Sequence, residues 1–214
     1  MAQRAAAMTW RRAPSPATIG PTFEATVGLG RGEERPLASV AMTSYPIRIF
    51  GDPVLKRAAR EVSEIDGSFA KLVDTMFTTM YDAPGVGLAA PQIGVQQRFF
   101  VYDIGDDPRV VINPTVVEAE GEWTYEEGCL SVPGLTFEIV RPKVVTVRGI
   151  DLDGNEIVVQ GDELLGRVFL HEIDHLDGVL MLDRLSDVER RAALREWRTL
   201  EMNGGARRDS DHAL

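Results

Sequence analysis

The sequence has a single cysteine, Cys129, among its 214 residues, so no internal disulfide can hold the chain together. One lone thiol fits a reducing compartment and points to the cytoplasm. No run approaches the ~18 apolar residues that a membrane-spanning helix needs, which excludes such spans. Lysine is scarce: only Lys56, Lys71 and Lys143 stand among 23 basic residues, and acids outnumber bases to give a net charge of −10. That sign argues against DNA as a partner of the whole surface, because phosphate contacts need a basic face. Histidine is as rare as lysine, with His171, His175 and His212 in the whole chain.

What is present is ordinary for a globular protein, with 44% hydrophobic and 26% charged residues, and the length suits one catalytic domain. Residues 1–41 carry Pro14, Pro16, Pro21 and Pro36 with much Ala, Gly, Ser and Thr and no sustained apolar period. Such a segment has little to bury. It reads as a disordered extension or as a mis-assigned start, with translation beginning at Met42; an organellar transit peptide is the third reading, since Met1–Phe23 has three arginines and no acid. The catalytic domain is expected over residues 42–203, followed by a polar tail at 204–214.

Within that domain Phe69, Leu72, Val73, Met76 and Met80 recur at helical spacing, and the helix should end near Pro84. Strand-like runs follow at Arg98–Asp103, Val110–Asn113, Thr115–Glu118, Val144–Ile150 and Glu156–Val159, with a hairpin turn at Asp153-Gly154 between the last two. A second helix is predicted from about Asp162 to Leu176, stopping at Gly178, and a third opens with the capping box Ser186-Asp187-Val188-Glu189. The expected fold is therefore α+β, with largely antiparallel sheets in the middle and helices at both ends.

Three segments carry chemistry. The first is His171-Glu172-Ile173-Asp174-His175, which on a helix places two imidazoles one turn apart on one face, where both reach one divalent ion. Glu172 beside them can take a proton from water on that ion. A catalytic site needs a third protein ligand and an open fourth position. Met181 stands where a metzincin would have its third histidine, whereas Glu189, Glu196 and Glu201 on the last helix could serve as in other HExxH metallopeptidases. Cys129, in the second segment Glu126-Glu127-Gly128-Cys129-Leu130-Ser131, is the other candidate; its bland reading is a small buried hydrophobe. The third segment, Gly85-Val86-Gly87-Leu88-Ala89-Ala90-Pro91-Gln92-Ile93-Gly94, superficially matches a dinucleotide fingerprint. A helix precedes it where a strand is required, and Pro91 interrupts it, so it reads as a glycine-rich loop that lets backbone approach a ligand, with Gln92 at its edge.

Together, in this order, the segments GVGLAAPQIG, EEGCLS and HEIDHLDG resemble the peptide deformylase family, with the likeness running from about Tyr45 to Leu185 and including the opening PIRIFGDPVL. The resemblance implies a hydrolase that removes the formyl group from the N-terminal methionine of nascent proteins. It implies Cys129, His171 and His175 as metal ligands and Glu172 as the proton shuttle for a metal-bound hydroxide. It also implies an oxyanion site made by the Gln92 side chain and the Leu130 backbone N–H. The cofactor is expected to be one divalent ion per chain, Fe²⁺, with Zn²⁺ or Ni²⁺ able to occupy the site. Val86, Tyr125, Leu164 and Val168 are the candidates for the methionine pocket, and Gly87 could align the peptide through its backbone. Asp174 is a candidate partner for Arg141 behind the ligands. One departure is Leu170, where glutamine is expected before the first histidine.

Two other classes stay in view: a metallopeptidase with a downstream glutamate ligand, and a metal-binding protein without turnover, against which the intact Glu172 and Gln92 speak. Between Arg184 and Arg208, seven arginines face four acids, a local charge of about +3 on a chain of −10. A basic helix of that kind could meet ribosomal RNA, where the substrate emerges, as the resemblance also suggests; its arginines could equally be solvated while Val188, Ala192, Trp197 and Leu200 pack it down.

Overall fold

The computed structural model of the chain describes residues 44–105 and 107–204. The expectation for residues 1–41 and nearly all of that for the tail lie outside the described residues.

Helix α1 (Gly67–Asp82) starts where the Asp66 side chain accepts hydrogen bonds from the N–H groups of Ser68 and Phe69. Its apolar stripe is the predicted one: Phe69, Val73, Met76 and Met80 are buried and Leu72 is partly so. Strands β1 (Gly87–Ala89), β2 (Phe99–Tyr102) and β3 (Arg109–Glu120) follow. Next come β4 (Trp123–Gly128), β5 (Thr136–Arg141), β6 (Val144–Ile150) and β7 (Glu156–Asp162), then helices α2 (Glu163–Leu176) and α3 (Asp187–Met202). Five strands form one antiparallel sheet in the order β1-β2-β3-β6-β7, while β4 and β5 pair only with each other. The α+β architecture with antiparallel sheets and three helices is thus as expected. Among the described residues no helix is long and apolar enough to cross a membrane.

The short strand β2 explains the layering. All four of its residues, Phe99-Phe100-Val101-Tyr102, are buried, as in a strand covered on both faces. Because side chains alternate, Phe99 and Val101 pack with α1, whereas Phe100 and Tyr102 pack with Val168, Phe169, Ile173 and Leu176 of α2. Helix α2 also lies close to β7 because glycines face each other there. A Cβ on Gly161 would stand 2.9 Å from the Gly166 nitrogen, and one on Gly166 would stand 3.0 Å from the Gly161 oxygen. A third cluster joins Ala193 and Trp197 of α3 to Val132, Leu135, Ile139, Met181 and Leu182. Of the residues expected to pack α3 down, Trp197 and Leu200 do so, whereas Val188 and Ala192 are exposed and Ala193 and Leu194 take their place.

The structure differs from the strand expectations at three places. The runs on either side of Pro114 are one strand, because Asn113 adopts φ 51° and the ladder shifts register there. Asn113 is held in that conformation by two bonds to Val62, accepting from its N–H at 2.8 Å and donating to its carbonyl at 3.0 Å. β1 lies inside the segment read as a loop. β4 and β5 were not expected at all, since the face of β4 that turns inward is Trp123, Tyr125 and Glu127, ending on a charge instead of an apolar residue.

Helix α2 begins on Glu163 at φ 42°, a left-handed conformation that costs a residue with a Cβ about 1–3 kcal/mol. Its contact with Lys143 at 3.3 Å is half-exposed and worth little, and its favourable place at the helix N-terminus is worth about 0.3–1 kcal/mol. Glycine avoids the strain at the cost of a looser unfolded chain. Glu163→Gly should therefore raise stability by about 1 kcal/mol in urea denaturation; an unchanged or lower midpoint would show that the residue carries no strain.

Candidate active site

Two turns of α2 set the site. His171 and His175 bring their Nε2 atoms to 3.2 Å from each other, and Cys129, the residue after β4, places its Sγ 3.2 Å from the His175 Nε2. The three ligand atoms lie within 4.8 Å of one another, the only such cluster of His, Cys, Asp or Glu among the described residues. Bond lengths of ~2.0 and ~2.3 Å to N and S in a tetrahedral site put ligands ~3.3–3.6 Å apart, so this donor set fits a divalent ion with a position left open. The rival third ligands do not approach: Glu189, Glu196 and Glu201 are exposed on α3, and Met181 is buried among apolar side chains.

Behind the ligands stands Glu127, whose carboxylate is buried and fully engaged. Oε1 accepts from the Arg141 Nη2 and the His171 Nδ1, both at 2.7 Å, and Oε2 accepts from the Arg141 Nε and the Arg167 Nη1, both at 2.8 Å. Burial pushes the Glu127 pKa up, but the bonds from Arg141 and His171 outweigh it and hold the carboxyl well below the usual carboxylate range. An ionised Glu127 can only accept, so His171 donates from Nδ1 and leaves Nε2 as the atom that faces the cluster. Arg141 continues to Asp174 at 2.9 Å, and Arg184 closes on the same Asp174 from the surface. The Asp174–Arg141 pair considered from sequence is thus present and buried.

Sequence reasoning gave Glu127 no role beyond its place beside the cysteine, and it missed Arg167 altogether. One turn before His171, Arg167 donates from Nη2 to the carbonyls of Trp123 at 2.8 Å and Ile139 at 3.0 Å, which ties α2 to both strands of the separate pair. Its guanidinium lies 5.0 Å from the Trp123 ring centroid and 5.9 Å from that of Tyr125, and the two rings stack at 4.6 Å. A signal existed: the arginine inside the apolar run Leu164-Leu165-Gly166-Arg167-Val168-Phe169 stands four residues before His171, on the same helix face as that ligand.

Glu172 is 4% exposed. Burial raises its pKa to about 7, against the pull of His171, in the absence of any cation. A Cβ on Gly87 would come within 2.5 Å of the Glu172 Oε1, so the carboxylate fits only because β1 has glycine there. Its other oxygen, Oε2, is buried with no hydrogen-bond partner among the described residues. Burial lowers the His175 pKa well below its ordinary value, with His171 adding to it; for His171, Cys129 and Glu127 outweigh burial and hold the pKa well above. Across the cluster Gln92 is 1% exposed, and its Oε1 accepts from the Ala89 N–H at 2.8 Å. That bond assigns oxygen and nitrogen of the amide, and Nε2 then donates to the Ser131 Oγ at 3.1 Å and stands 4.0 Å from the Cys129 Sγ.

The remaining candidates fall around α2 and the strand edges. Leu130 follows Cys129, and its side chain fills the space a Cβ on Gly85 would need. Val86 and Val168 belong to one apolar cluster. Leu164 is half-buried one turn before Val168, and Tyr125 is 38% exposed on β4.

The chain matches the polypeptide deformylase family over residues 44–191. It is similar to a peptide deformylase of Agathobacter rectalis, 49% identical over 144 residues that cover 67% of this chain and 91% of that protein. A peptide deformylase of Acidothermus cellulolyticus is 44% identical over 163 residues, covering 76% of this chain and 91% of that one. Among solved structures, a peptide deformylase from Legionella pneumophila superposes with a TM-score of 0.73 at 40% identity, covering 78% of this chain and 100% of that chain.

Removing Glu127 tests the centre of this arrangement. Glu127→Ala leaves Arg141 with Asp174 alone and Arg167 buried with no carboxylate, and should lower stability by about 3–5 kcal/mol. It also frees the His171 ring and should weaken Co²⁺ or Zn²⁺ binding about 10- to 100-fold. Urea denaturation and chelator competition check the two effects; unchanged metal affinity would mean that His171 is oriented by something else.

Proposed function

The chain belongs to the peptide deformylase family and removes the N-formyl group from nascent proteins; from that premise we infer which of its residues carry the reaction. Cys129, His171 and His175 hold the divalent ion, as their mutual distances support. When bound, that ion supplies a Lewis acid and a nucleophile available at neutral pH. We take Fe²⁺ as the native ion on the family resemblance, with Ni²⁺ able to replace it; the softness of one thiolate and two imidazoles by itself admits Zn²⁺ as well.

Glu172 is the proton shuttle: it takes the proton of the attacking water and returns it to the departing amine, which leaves formate and a free N-terminus. The observation that carries this role is its buried, unpartnered Oε2 beside the ligand cluster, on a carboxyl whose hold on a proton is strengthened by burial. The Gln92 Nε2 and the Leu130 N–H donate to the formyl oxygen as charge grows on it. Val86, Tyr125, Leu164 and Val168 receive the methionine side chain. β1 ends its sheet, so its outer edge offers backbone at Gly87 to an extended peptide. The nascent substrate and the single unpaired cysteine support action in the cytoplasm.

Helix α3 is the element we assign to ribosome docking. Ala193 and Trp197 bury one side of it. Arg184 and Arg190 are engaged with Asp174 and Asp183, whereas Arg191, Arg195 and Arg198 are exposed at helical spacing. Arg207 and Arg208 lie outside the described residues.

Glu172→Ala should keep bound metal and lose about 10²–10⁴-fold in turnover of a formyl-Met peptide; near wild-type kcat would rule out the shuttle. Cys129→Ser should weaken metal binding sharply, while substitution of Glu189, Glu196 or Glu201 leaves it intact. Metal content that follows one of those glutamates instead would reassign the third ligand.

Replacing Arg191, Arg195 and Arg198 with glutamine should weaken co-sedimentation with ribosomes and flatten its salt dependence, with turnover of a short formyl-peptide unchanged. Equal co-sedimentation of both proteins at low salt would leave α3 a packing element.

A further inference from the structure

Ser131 closes the segment that contains Cys129, yet no step above uses it. It is 0% exposed, and its hydroxyl accepts the Nε2–H of Gln92 at 3.1 Å. The backbones of the two residues are strapped by one segment: the Arg48 N–H donates to the Gln92 carbonyl and the Phe50 N–H to the Ser131 carbonyl, both at 2.7 Å. Gln92 is also held at its other end, where the Ala89 N–H donates to Oε1 at 2.8 Å. A planar amide held at its oxygen and at one N–H cannot turn about its last torsion, so the direction of its second N–H is set. Nε2 lies 4.0 Å from the Cys129 Sγ, at the outer limit of an N–H···S contact, so no strong bond competes for that second proton.

We propose that Ser131 is a positioning residue, whose hydroxyl, with the Arg48–Phe50 strap, fixes the Gln92 amide so that one N–H stays directed at the formyl oxygen. The inference rests on the assignment of Gln92 as an oxyanion donor. Without the hydroxyl the amide keeps one anchor and can swing, and a donor misplaced by about 1 Å can cost up to 10²-fold in rate. The strap gives the opening Pro46-Ile47-Arg48-Ile49-Phe50 run a part in catalysis, since it sets the spacing of the two backbones.

The test is a double-mutant cycle on the metal-loaded full chain with a formyl-Met-Ala-Ser substrate. Ser131→Ala should lower kcat about 10- to 100-fold with KM and metal content within about twofold of wild type. In a Gln92→Ala background the same change should cost nothing further, because the group it positions is gone. Near wild-type kcat in Ser131→Ala, an equal fall in both backgrounds, or a loss of metal would overturn the inference while leaving Gln92 in place. A Gln92→Ala enzyme with wild-type kcat would overturn the oxyanion assignment and this inference with it. The Zn²⁺-loaded wild-type protein gives a reading without any variant: the ¹⁵N order parameter of the Gln92 side-chain amide should be about 0.85, and a value below about 0.6 would overturn the hold.

Discussion

The site depends on one carboxylate. Glu127 accepts from Arg141, Arg167 and His171 at once, and it lies two residues before Cys129 in the chain. The β4–β5 pair is not part of the main sheet, and two strands alone are marginal in water. What fixes them against α2 is this ion cluster and the two carbonyls bound by Arg167, so the position of the thiol follows from the position of the charge. Burying three or more ions costs several kcal/mol each. An apolar filling of the same space would be at least as stable, but it would have no acceptor for the His171 Nδ1 and no directional hold on β4.

Close backbone approach is the second constraint. Gly161 and Gly166 let α2 lie against β7, and Gly87 lets the Glu172 carboxylate lie against β1. These contacts place both ends of the helix: the first sets its depth on the sheet and the second sets where the acid meets the ligands. Around them the apolar contacts of Phe100, Tyr102, Val145 and Val147 with Val168, Phe169, Ile173 and Leu176 supply the cohesion, at roughly 1.5–3 kcal/mol for each large side chain buried. The hydrophobic effect has no direction, so it presses the helix onto the sheet, and the glycines and Glu127 decide its rotation and height.

Apolar spacing at a period of 3.6 made α1 legible from residues alone, end signals at Gly178 and at the Ser186 capping box did the same for α2 and α3, and the two histidines were legible from their own helical spacing. Cys129 was not decided by spacing; only the resemblance to a family chose it over the downstream glutamates. β4 and β5 were illegible because the inward face of β4 ends on Glu127, whose burial depends on Arg141 and Arg167 arriving from elsewhere in the chain. Neither the Asn113 bulge nor the strap from Arg48 to Phe50 has a local pattern, since their partners, Val62, Gln92 and Ser131, are far away in sequence. What stays hidden is therefore the long-range polar contact, which leaves no period behind.

The buried side-chain polar atoms without a partner among the described residues are the Arg167 Nε, the Glu172 Oε2 and the His175 Nδ1, and all three belong to α2. An unsatisfied group of this kind costs about 1–3 kcal/mol, and more when it is charged. The same helix carries apolar residues that pack it to the sheet, Val168 and Phe169 before the ligands, Ile173 between them and Leu176 directly after. A ligand that binds only the folded site adds its own binding free energy to that balance, and α2 is where the addition counts, because two of the three candidate ligands, the Glu172 carboxylate and the side chains that hold the core are on the same helix.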